Sequence, residues 1–106
     1  MKLSKLLSTA VFAALSLTVS TAALADGAEL YKKKTCWSCH GKDAKTPIMP
    51  AYPKLAGQGA DYAYNQMKDI KSGARNNGQT AAMKGVMGLV SDAEMREIAD
   101  WLATLK

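Results

Sequence analysis

Two cysteines and one histidine are all this chain has of either type, and they fall together in "TCWSCHGK" as Cys36, Cys39 and His40. Two thiols at this spacing with an adjoining imidazole suit three chemistries: a redox dithiol, a zinc site, or covalent attachment of a haem. Zinc takes about four protein ligands in a structural site and three in a catalytic one. Crowding the whole Cys and His supply into five positions would leave such a sphere lopsided. A redox dithiol uses only the Cys-x-x-Cys pair, and the thioredoxin-like fold that hosts it is α/β. A plain disulfide between Cys36 and Cys39 closes a very small loop and leaves His40 without a role. In Cys-x-x-Cys-His, both thiols add to the vinyl groups along one porphyrin edge and the next side chain ligates the iron. That reading uses every residue of the cluster.

The elements that must position this cluster read as helices. Asp26 with Glu29 forms a capping-box-like start for a short helix whose apolar side carries Leu30 and Tyr31. Lys32, Lys33 and Lys34 fall near its end, where the helix dipole favours positive charge, and read as its solvated face. Residues 41–58 hold all three prolines, Pro47, Pro50 and Pro53, in a loop too long to be an idle connection, so something should pack under it. Ala63, Met67 and Ile70 repeat at helical spacing over 60–72, and Gly73 supplies a stop. "ARNNGQ" at 74–79 is a polar loop, and a short helix is predicted over 81–87. Ser91 with Glu94 makes a capping box, and Met95, Ile98, Ala99, Leu102 and Leu105 line one face of the last helix. No run of alternating β-branched residues points to a sheet. The expected fold class is all-α with long loops.

The chain opens with Lys2 and Lys5, an uncharged run from Leu6 to Leu24, and Ala23-Leu24-Ala25. This layout predicts a secretory signal peptide over residues 1–25, cleaved after Ala25, rather than a retained membrane anchor. The domain is then 26–106, short enough to need a cofactor to complete its core. Its formal charge falls from +5 to +3 once Lys2 and Lys5 are removed. No concentrated basic patch with interleaved aromatics supports nucleic-acid binding.

In three segments taken in order, the chain resembles class I cytochrome c in its short single-haem bacterial form. They are "DGAELYKKKTCWSCHGKD", "YPKLAGQGADYAYNQMKDIKSGAR" and "MKGVMGLVSDAEMREIADWLATL". The resemblance implies three to five helices and long loops wrapped around one covalent haem c, anchored by Cys36 and Cys39. It implies His40 and a methionine as axial ligands. Met67 and Met95 read as core residues on their helices, and Met49 follows His40 too closely to reach the opposite face. Met83 and Met87 lie four apart, and spacing alone leaves both open. In the family the ligand commonly sits eight residues before the Ser that caps the last helix, which selects Met83, with Met87 as the alternative. Family likeness also assigns Pro53 as the carbonyl partner of the ligand imidazole, and Leu55 as a residue packed on the haem. Gly27 and Tyr31 match positions at the crossing with Ile98 and Trp101, and Arg75 is either a propionate partner or solvated.

The function so implied is a monomeric periplasmic electron carrier, not an enzyme, with redox proteins as partners and no membrane insertion of the mature chain. Lys42, Lys45 and Lys84 are candidates for steering acidic partners. The alternatives are a haem c subunit of a larger oxidoreductase complex, and a haem sensor or enzyme whose sixth position opens to a ligand.

Overall fold

The structure, a computed structural model, describes residues 18–106, with side chains from Asp26 onward. Five helices follow in order: α1 Thr18–Lys33, α2 Trp37–His40, α3 Ala60–Ser72, α4 Thr80–Met87 and α5 Asp92–Ala103. Among the described residues there is no strand. None of these helices is long and apolar enough to cross a membrane.

The clearest local cause of structure is at the start of α5. Ser91 Oγ accepts from Glu94 N at 3.2 Å, while Glu94 Oε1 accepts from Ser91 N at 2.9 Å, closing the expected capping box. The predicted apolar face follows: Met95, Ile98, Ala99 and Leu102 are all buried, and Leu105 packs partly against them just beyond the helix. Burying a side chain of this size contributes roughly 1.5–3 kcal/mol. α5 is thus the spine, with α1 and α3 packed against it and α4 against α3. Met67 and Ile70 bring the buried face of α3 to this core. Gly73 ends that helix at φ 90°, its N–H reaching back to the Asp69 and Ile70 carbonyls.

α1 crosses α5 where Gly27 removes the side chain that would hold them apart. A Cβ at Gly27 would stand 2.5 Å from Trp101 Cβ, with the Glu97 carbonyl closer still. One turn on, Tyr31 is buried with its ring centroid 5.0 Å from that of Trp101. In the uncleaved chain the described helix α1, Thr18–Lys33, runs through Asp26 without a break, so the pair lies inside it rather than at its start. The alanine-rich stretch "TAALAD" offers good helix formers and no stop, so nothing ends the helix at the capping-box-like pair. The predicted leader, residues 1–25, lies outside the described residues apart from the backbone of 18–25.

Two further differences concern the segment after α1. Sequence patterning missed α2, because four residues are too few to show a periodicity. Lys34, expected to be solvated with its neighbours, instead reaches back into the fold and donates to the Leu89 carbonyl. The loop over 41–59 is irregular, as expected, and is ordered by its own backbone. Leu55 N and Ala56 N both donate to the Ala44 carbonyl, and Gly57 N donates to Leu102 on α5.

Candidate functional site

The cysteine cluster is built on a tight turn entered through Thr35, whose backbone is left-handed at φ 62°. Cys36 is half-buried, Cys39 exposed and His40 buried. His40 Nδ1 lies 3.0 Å from the Pro53 carbonyl. A carbonyl oxygen only accepts, so Nδ1 carries the proton and Nε2 keeps the lone pair that binds a metal. Burial lowers the His40 pKa, with the Pro53 bond opposing it, so the ring rests in the neutral form that ligation requires. Tyr31 Oη donates to the Gly41 carbonyl at 2.6 Å. The residue after His40 is thereby tied to the α1–α5 crossing.

A cavity of about 490 Å³ opens beside this turn. That falls within the roughly 300–1,000 Å³ of cofactor-sized sites. Cys36, Cys39 and His40 line it together with Pro53 and Leu55 from the long loop. Met67 and Ile70 of α3 and Ile98 and Leu102 of α5 give it an apolar wall, and Met83, Val86 and Met87 bring α4 to it. The loop therefore does cover something.

The remaining candidates separate by burial. Met83 is partly exposed at the cavity, whereas Met87 is fully buried in the core. Met95 is likewise core, and Met67 is buried and also touches the cavity. Met49 is 41% exposed and does not line the cavity. Arg75 lines it and donates to Gln66 Oε1 at 3.0 Å. Gln58, Tyr62 and Thr80 also line the cavity. Sequence reading did not single them out, because polar residues in loops and on helix faces carry no periodic signal.

The same geometry weighs against the rival chemistries. A reactive dithiol needs a lowered thiol pKa. Here burial pushes the Cys36 thiol up to about 11, with Cys39 adding a smaller contribution. Among the described residues no three His, Cys, Asp or Glu side chains converge as a metal site. The residues do fit a covalently held haem: two thiols and a neutral imidazole on the rim of a largely apolar cavity.

A profile described as cytochrome c matches residues 24–106. The chain belongs to the cytochrome c family. Its cofactor is covalently bound haem c, and its function is electron transfer through that haem. It is similar to cytochrome c4 of Pseudomonas aeruginosa, with 41% identity over 75 residues covering 71% of this chain and 35% of that one. It is also similar to cytochrome c-553 of Nitratidesulfovibrio vulgaris, with 36% identity over 95 residues covering 90% and 91% of the two chains. Among solved structures, reduced recombinant cytochrome c4 from Pseudomonas stutzeri superposes with a TM-score of 0.72 at 26% identity. That match covers 81% of this chain and 50% of the other. The chain thus spans about a third of the length of the Pseudomonas aeruginosa c4 relative but nearly all of the c-553 relative.

Proposed function

We propose that this cytochrome c is a periplasmic one-electron carrier, anchored to its haem by Cys36 and Cys39 and ligating the iron through His40 and Met83. When bound, the haem supplies an iron that alternates between ferric and ferrous forms and so holds or gives up one electron. The observation that carries the reading is the His40–Pro53 contact on a cavity that α4 also lines through Met83. The Pro53 carbonyl holds the imidazole in one orientation and raises its basicity. A Met83 thioether, as a soft donor, favours the ferrous form and raises the potential. Leu55 and the apolar wall from α3 and α5 exclude water and hold the ligand geometry constant between oxidation states. Ligation by two side chains, His40 and Met83, would leave the iron no position for a substrate.

Met83 is preferred over Met87 because Met87 is already enclosed by the core, while Met83 is partly exposed at the cavity. The test is the weak far-red charge-transfer band that the family's thioether-ligated ferric haem displays. It should vanish in Met83→Ala and persist in Met87→Ala; the reverse pattern transfers the role to Met87. Rapid stoichiometric carbon monoxide binding to the reduced protein at neutral pH would favour the sensor or enzyme reading instead.

Export follows from the leader over residues 1–25, and N-terminal sequencing of the periplasmic holoprotein should begin at Asp26. A free carrier elutes from size exclusion as a small monomer, whereas a subunit of an oxidoreductase complex elutes with its partners. Lys42, Lys45 and Lys84 are all exposed, as steering of acidic redox partners requires. Electron-transfer rates with such a partner should then fall as salt rises.

A further inference from the structure

The helix that carries Met83 is short, and its two ends are held differently. No side chain caps the start of α4. After its end the chain passes through Gly88, Leu89 and Val90 to the Ser91 cap of α5. Two ammonium groups from elsewhere in the fold grip this link. Lys34 Nζ donates to the Leu89 carbonyl at 2.9 Å, and Lys71 Nζ donates to the Val90 carbonyl at 2.6 Å. These partners lie 55 and 19 positions apart in sequence. Lys34 directly follows α1, and Lys71 sits in the last turn of α3, so the clamp joins the ends of two helices to the exit of a third. Lys34 Nζ also stands 3.5 Å from Glu94 Oε1, the carboxylate that closes the α5 capping box.

We propose that Lys34 and Lys71 form a two-point clamp on the Leu89–Val90 link that sets the position of α4, and with it the Met83 thioether, at the cavity. They are positioning residues for the distal ligand, and the proposal rests on the reading of Met83 as that ligand. An eight-residue helix is too short to hold itself in water, so its position depends on tertiary anchors. On the inner side those anchors are the buried Met87 and Val90 side chains. On the outer side they are the two lysine bonds, both to carbonyls beyond the helix C-terminus, where positive charge is favoured. Bonds from an ammonium are roughly twice as strong as neutral ones. Both lysines are partly shielded from solvent, which limits screening of their charge. Releasing the link lets the α4 segment open locally and the thioether leave its place without unfolding the core.

The experiment compares ferric holoprotein carrying Lys34→Met, Lys71→Met or both, since methionine keeps an apolar stem and removes the donor. Imidazole is the probe: it binds the haem only when the thioether leaves, so its association rate reports opening. Each single change should raise that rate about tenfold, the size of one lost charged hydrogen bond, and the double variant should raise it further. The far-red band should persist at rest, and Lys34→Arg should restore the wild-type rate. Amide exchange at Gly88, Leu89 and Val90 should accelerate in parallel. Unchanged imidazole association and unchanged exchange in the lysine variants would overturn the clamp, even if their thermal stability fell. Failure of the ligand reading has a different signature: the far-red band would survive Met83→Ala, whatever the lysine variants do.

Discussion

The two sides of the haem cavity are held by different kinds of contact. On the attachment side, Tyr31 donates to Gly41, packs at a tilt against Trp101, and sits one turn from the close crossing at Gly27, while His40 bonds to Pro53. These are buried, short-range constraints that no small motion relieves. On the methionine side, α4 lacks a side-chain cap and depends on two buried apolar anchors and two lysine tethers. A covalent attachment with a fixed imidazole suits the first arrangement. The proposed Met83 ligand, a soft and exchangeable thioether donor, suits the second. Stability and ligand lability should therefore respond to different residues.

The largest effect should come from removing the covalent anchors. Cys36→Ala with Cys39→Ala should abolish haem staining on a denaturing gel and leave a poorly folded chain, because a cavity of about 490 Å³ lined by core residues would stay unfilled. Next, Gly27→Val forces a side chain into the α1–α5 crossing, where even a Cβ has no room. Overpacking of this kind should cost about 3 kcal/mol in denaturant unfolding of the holoprotein. Tyr31→Phe should cost up to roughly 1.5 kcal/mol, since it removes one of the two donors to the buried Gly41 carbonyl and leaves the bond from Ala44 N. Both attachment-side changes should leave the far-red band and imidazole association near wild type. If they loosen the thioether as much as the lysine variants do, the two sides are not independent.

The smallest effect lies at the junction of α4 and α5. Ser91→Ala removes the cap and should cost about 1 kcal/mol. The Ser91 backbone N–H holds the Glu94 carboxyl below the usual carboxylate range, with Lys34 adding to the shift. A lowered pKa contributes stability that is present above the unfolded carboxylate pKa of about 4.3 and is lost as pH falls through the lower folded value. Glu94→Gln should therefore be less stable than wild type at neutral pH, and the gap should close as the melting temperature is followed down to acid. A gap independent of pH would mean that the carboxylate charge is not what the capping box uses.

Much of this was legible in the chain because it is local. The Cys36–His40 cluster, the Ser91–Glu94 box, the apolar face of α5 and the Gly73 stop each depend on spacing within a turn or two. The same locality explains the misses. The Asp26–Glu29 pair looked like a helix start, but a cap signal inside a run of good helix formers does not interrupt it. Lys34 looked like one of three equivalent surface lysines, yet only Lys34 reaches the Leu89 carbonyl.

The sequence by itself determined the chemistry of attachment and the helical class, since residue type and short spacing dictate both. Tertiary structure alone decided which lysines meet which carbonyls, and why Met83 and Met87, four apart on one helix, differ in burial. Backbone carbonyls are alike at every position, and side chains on one helical face are told apart only by what packs against them. For α4 the helix packed against it is α3, which lies outside its local pattern, so the distinction is a property of the assembled fold.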